Sequence, residues 1–217
     1  METLSGVAGF AVVAGLLTII PGLDTALVLR TAVTRGHREG FASAVGINTG
    51  VLVWGVAAAV GVSALLVASN AAYTALRLLG AAYMVWLGLA LLRNSWRQGS
   101  PATPEQEPES LAPPGALPGA LRAWVRGTLT NLSNPKVGAF YIAALPQFIP
   151  EHASHLATGA LLALVHDVEG IAWFALLIFG AHLVRRQLAR PSVQRTLDRV
   201  TGVVLVGFGV KLALSNR

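Results

Sequence analysis

The chain has 217 residues, of which 54% are hydrophobic and only 12% charged, with a mean hydropathy of +0.62. A soluble domain carries about 25% charged residues, so this deficit, together with apolar runs of about 20 residues, describes an integral membrane protein. The 16 Lys+Arg against 10 Asp+Glu do not make a nucleic-acid surface, because the basic residues fall between apolar runs; the lack of Cys removes disulfides, thiolate metal sites and thiol redox chemistry.

In chain order the sequence predicts an all-α membrane protein with six transmembrane helices. The N-terminus, Met1-Glu2-Thr3, has no basic n-region and its apolar run outlasts a signal peptide, so it is read as the first span. The expected spans cover about 7–29, 41–68, 73–92, 125–148, 156–183 and 200–214. Between the third and fourth lies Ser100-Pro101-Ala102-Thr103-Pro104-Glu105-Gln106-Glu107-Pro108-Glu109, too polar to pack and expected to be a disordered loop. The predicted organisation is therefore a first three-helix repeat over 1–93, a polar cytoplasmic loop over 94–121, and a second three-helix repeat over 122–217. Gly46 and Gly50, with Gly55 and Gly61 beyond, are expected to let helix backbones approach closely.

Two spans are interrupted. Ile19-Ile20-Pro21-Gly22-Leu23-Asp24-Thr25 breaks the first, and Asn131-Leu132-Ser133-Asn134-Pro135-Lys136 breaks the fourth. Proline removes a backbone donor and clashes with the preceding turn. In lipid such a break is tolerated only where the freed groups face protein or a watery cavity. Broken segments at corresponding places in two halves point to a transporter binding site.

Orientation follows from Lys and Arg near the span ends. Arg30, Arg35 and Arg38 follow the first span; Arg93, Arg97, Arg122 and Arg126 follow the third; Arg185, Arg186, Arg190, Arg195 and Arg199 follow the fifth. None follows the second or fourth. This places the three basic segments in the cytoplasm and both termini outside, with Lys211 and Arg217 pulling weakly the other way. Three spans per half make the second half enter from the opposite side, which is an inverted repeat in layout.

The ionisable residues at depth are Asp24, Lys136 and the group His166, Asp167, Glu169. Such charges are expensive in a membrane and mark pathways. After Pro21-Gly22 a new half-helix begins near Asp24-Thr25, with free N–H groups suited to a carboxylate. Asp24 has two open roles, capping that half-helix or contacting a substrate or its ammonium. Asn134-Pro135 pairs an N-cap with Pro at the first helical position. Lys136 then suits a substrate carboxylate or an ion pair with Asp24. The substrate-binding candidates are thus Pro21, Gly22, Asp24, Thr25, Asn134, Pro135 and Lys136. His166, Glu169 and Trp173 share one helix face, with Asp167 offset by one residue; His166, Asp167 and Glu169 are the proton-coupling candidates. Imidazole and carboxylate also ligate divalent metals, which makes a cation exporter the competing function. No HExxH spacing, Ser-centred nucleophile motif or GxxxxGK[ST] motif is present, which argues against an enzyme and against ATP-driven pumping by this chain alone.

The run Ile20-Pro21-Gly22-Leu23-Asp24-Thr25-Ala26-Leu27-Val28-Leu29-Arg30, followed by Arg35-Gly36 and Gly40, resembles the first signature of the LysE/RhtB family of amino-acid exporters. Asn134-Pro135-Lys136, leading to Phe140 and Leu145-Pro146-Gln147-Phe148, is similar to the second, and Leu79-Gly80-Ala81-Ala82-Tyr83-Met84-Val85-Trp86-Leu87-Gly88 to a third stretch. The resemblance implies a bacterial inner-membrane protein of six helices, exporting amino acids or related small metabolites by proton antiport. It implies no cofactor, leaves the substrate open and allows a homo-oligomer. The family commonly has Pro-Gly-Pro where this chain has Pro21-Gly22-Leu23.

Overall fold

The computed structural model describes residues 2–96, 118–150, 152–180 and 190–214. The Pro-rich segment within the expected 94–121 loop, and Arg97, His182, Arg185, Arg186 and Arg217, lie outside the described residues. Among the described residues there are eight α-helices and no strand: α1 (Glu2–Ile19), α2 (Leu23–Arg35), α3 (His37–Ala68), α4 (Asn70–Trp96), α5 (Gly119–Leu132), α6 (Pro135–Ala144), α7 (His155–Phe179) and α8 (Pro191–Leu214). A short 3₁₀ turn, Leu145–Phe148, follows α6.

Both expected breaks are present, and proline accounts for each. Pro21 has no N–H to give to the carbonyl four residues back, so α1 ends at Ile19. The chain restarts when Ala26 N–H donates to the Gly22 carbonyl at 2.9 Å, and α1 and α2 meet at a bend of 55°. In the second break α5 stops at Leu132 and α6 starts at Pro135, with Asn134 as its N-cap. The Asn134 side chain accepts from Lys136 N–H at 3.1 Å. Gly36, at φ +94°, closes α2 in a backbone region that other residues rarely enter.

Glycines set the helix separations. A Cβ on Gly46 would run into the Trp124 carbonyl, and one on Gly127 into the Ser43 carbonyl, so α3 and α5 touch backbone to backbone. Gly55 holds the same closeness to Ala163 of α7, whereas Gly61 faces open space. Gly88 and Gly202 face each other across α4 and α8; a Cβ on either would lie 2.7 Å from the other's carbonyl oxygen. Helix α3 thus packs on α5 and α7, and α4 on α8. The core gathers Phe10, Phe140, Tyr141 and Leu145 around α7. Leu79, Trp86, Val168 and Val203 stay exposed, a surface that water would penalise and lipid accommodates.

Three helical stretches are long and apolar enough to cross a membrane, His37–Gly61, Thr74–Arg93 and His155–Phe179; the bent α1–α2 pair makes a fourth. The expected spans at 125–148 and 200–214 do not meet that test. The first is divided between α5 and α6, helices of 14 and 10 residues, with Arg122 and Arg126 in α5; the second is the end of a longer helix, α8, which starts at Pro191 and carries Arg195 and Arg199. Much of the basic sequence read as loop is therefore helix end.

Candidate functional site

The two breaks face one another. Pro21 leaves the Leu17 carbonyl without its helical donor, because Leu17 is four residues earlier. Lys136 Nζ, from the second break, donates to that carbonyl at 3.4 Å. Pro135 likewise frees the Asn131 carbonyl, which accepts from Trp54 Nε1 of α3 at 3.4 Å and from Asn134 N–H at 3.0 Å. Each proline-freed carbonyl thus receives a side-chain donor from the other half of the chain.

The crossing is reciprocal. Asp24, in the first turn of α2, reaches the second break: its Oδ2 accepts from Asn131 Nδ2 at 2.9 Å and from Asn134 Nδ2 at 3.4 Å. The position before α2 is held by Gly22, with no side-chain cap, so Asp24 is not the N-cap. Its charge still favours the helix start. Asp24 and Lys136 attract through space, yet each makes its hydrogen bonds elsewhere. Gly22 has φ −153°, which any residue adopts; what it supplies is room, since a Cβ would lie 3.3 Å from Lys136 Nζ.

Between the breaks lies a cavity of about 40 Å³. Its polar wall comprises Thr18, Asp24, Thr25, Asn48, Asn131, Lys136 and His166. Leu17, Ile20, Ile47, Val51, Val137 and Phe174 form the apolar wall. That volume suits about three waters.

Of the candidates named from sequence, Gly22, Asp24, Thr25, Lys136 and His166 line this cavity, whereas Pro21, Asn134, Pro135, Asp167 and Glu169 do not. Pro21, Asn134 and Pro135 shape the breaks. On α7 the cavity face runs His166, Gly170, Phe174, so Glu169 and Trp173, expected to share the His166 face, lie off it: Glu169 turns toward α1, and Trp173 packs with Val28 and Ala32 of α2 and Ala44 and Ile47 of α3. The Glu169 carboxylate lies beside Gly15, 3.5 Å from where a Cβ would stand, and its Oε2 is buried without a hydrogen-bond partner among the described residues. Asp167 is buried too, and its Oδ1 has no hydrogen-bond partner among the described residues.

His166 is held on both sides. Its Nε2 is 2.9 Å from Thr18 Oγ1 and its Nδ1 is 2.9 Å from Tyr141 Oη. Thr18 gives its own hydrogen to the Ala14 carbonyl at 2.9 Å. The threonine oxygen therefore accepts from Nε2–H; in the neutral imidazole Nδ1 then takes the Tyr141 hydroxyl hydrogen. Tyr141, Thr18, Asn48 and Asn131 are site residues that sequence reasoning missed. Asn131 carried a signal, since it stands four before Pro135; the others carry none, because only packing brings Thr18 and Asn48 to the cavity and Tyr141 to His166 behind it. Arg77, buried on α4, is a further ionisable residue missed by the depth argument.

The LysE type translocator profile matches residues 16–216. The chain belongs to the LysE-type translocator family. It is 29% identical over 198 residues to a threonine efflux protein of Escherichia coli K12, covering 90% of this chain and 91% of that one. It is 29% identical over 207 residues to a leucine efflux protein of Enterobacter sp. strain 638, covering 94% and 93%. An uncharacterized membrane protein of Bacillus subtilis strain 168, YrhP, is 28% identical over 203 residues, covering 94% and 96%. No solved structure matches the chain.

Proposed function

We propose that this chain is a secondary transporter that exports amino acids, or closely related small metabolites, from the cytoplasm in exchange for protons. The observation that carries the proposal is the cavity shared by the two breaks, which presents one carboxylate, Asp24, and one ammonium, Lys136. That pair complements the opposite poles of a zwitterion. The relatives named for threonine and leucine efflux support the same substrate class. In the proposed site Gly22 and Thr25 lie against the substrate, Asp24 and Lys136 contact or gate it, and Pro21, Asn134 and Pro135 hold the breaks open.

The proposed layout is six spans in two inverted three-helix repeats, in a bacterial inner membrane, with both termini outside. The helix order supports it: a broken pair and two long helices, α1 to α4, then another broken pair and two long helices, α5 to α8. Exchanging the halves maps α3 on α7 and α4 on α8 onto themselves, and α3 on α5 onto α7 on α1; all of these contacts are present. Rocking of one half against the other would open the cavity to each side in turn. His166, Asp167 and Glu169 are proposed to carry the coupled proton. A divalent-cation exporter has less support, because the described residues hold no group of three or more His, Cys, Asp or Glu arranged for a metal.

Purified protein in liposomes is expected to move a radiolabelled amino acid when a pH gradient is imposed; failure across the full amino-acid panel would sink the proposal. Glu169→Gln lies off the cavity, so it is expected to keep amino-acid binding and to lose most of the response to the gradient. Unchanged coupling in both Glu169→Gln and Asp167→Asn would remove the proton assignment.

A further inference from the structure

Asn131 does more than end a helix. It is fully buried, lines the cavity and gives its Nδ2 to Asp24 Oδ2 at 2.9 Å. An ionised carboxylate only accepts, so this bond settles which end of the amide is nitrogen and which is oxygen. Asn134 donates to the same Oδ2. Both amide donors therefore go to one carboxylate oxygen, while Asp24 Oδ1 and Asn131 Oδ1 are buried with no hydrogen-bond donor among the described residues. Gly50 keeps the space beside the amide clear, since a Cβ there would lie 2.6 Å from Asn131 Oδ1.

Two buried acceptors without donors are costly, most of all when one is charged. What they lack is a cation with several N–H groups. The cavity's own cation does not fill that need: Lys136 Nζ donates to the Leu17 carbonyl and reaches neither oxygen. We propose that Asp24 Oδ1 and Asn131 Oδ1 together bind the α-ammonium of the transported amino acid, which makes Asn131 a specificity-determining residue that demands a free amine. This rests on the export function proposed above. A primary ammonium has three N–H donors, enough for both acceptors. Lys136 is then left for the carboxylate, and the ligand lies between the two breaks.

The test uses the full-length protein purified in detergent, with ligand affinity read from thermal stabilisation. The probes are L-leucine and L-threonine, and after them any other amino acid the wild type binds from the full panel, each against its 2-hydroxy analogue, which keeps the skeleton and carboxylate but replaces the ammonium with a hydroxyl. Wild type is expected to prefer the amino acid by about tenfold or more, and Asn131→Ala to lose about tenfold of that preference. Asn131→Asp keeps an acceptor in place and is expected to retain it. If Asn131→Ala does not fold, Gly50→Ala, whose methyl presses on Asn131 Oδ1, carries the same comparison. An amine preference unchanged in the variants, or absent in wild type, overturns the ammonium site while leaving export standing. Failure of the whole amino-acid panel to bind or be transported removes the export function, and this site with it.

Discussion

The two breaks are built from the same device and completed in different ways. The second completes much of itself: Asn134 caps α6, Pro135 occupies the first helical position, and the freed Asn131 carbonyl takes the Asn134 N–H besides Trp54. The first has no side-chain cap, and its freed Leu17 carbonyl depends on a lysine from the opposite half. A neutral indole on one side is matched by a long, flexible, charged side chain on the other. Under the proposed function the difference separates an anchor from a moving part: a substrate carboxylate would compete for Lys136, and nothing comparable would compete for Trp54.

The largest expected effect follows from removing that lysine. Lys136→Met strips the Leu17 carbonyl of its side-chain donor and leaves Asp24 as an uncompensated charge in the cavity. Transport should fall about a hundredfold, in keeping with the cost of breaking a buried charged contact; initial rates in liposomes measure it. Trp54→Phe should do far less. It removes one neutral hydrogen bond from a carbonyl that has another, so the loss is about 1 kcal/mol of stability with transport within a few-fold of wild type. Equal damage from the two variants would abolish the distinction between anchor and moving part. The smallest effect on stability is expected from Gly22→Ala. Its backbone is extended, so the melting temperature should stay near wild type, with a change under about 0.5 kcal/mol. Transport should still drop, because the methyl crowds Lys136 Nζ. A large melting loss would mean that Gly22 is needed for its backbone and not for room.

Much of this was legible beforehand. Pro21 and Pro135 each end a helix by a local rule, and the rule does not depend on what surrounds them. The glycines at 46, 50 and 55 announced close packing, and all three meet a neighbouring helix. Other features were hidden for physical reasons. Arg195 and Arg199 made the first turns of α8 look like loop, because charge at a helix end mimics a linker. Helix periodicity grouped His166 with Glu169, but spacing gives only angles about an axis. The neighbours decide which part of that face opens on the cavity, and α1 takes the Glu169 side. The hydrogen bonds that Asn131 and Asn134 give to Asp24 join residues more than a hundred positions apart, and no local pattern encodes them.

The central claim is that the two breaks form one binding site. A double-mutant cycle tests it most directly, with Asp24→Asn, Lys136→Met and the combination compared for affinity toward the transported amino acid. One shared site predicts strong coupling, so the double variant should bind about as weakly as the worse single variant. Losses that simply multiply would show two independent places and contradict the claim.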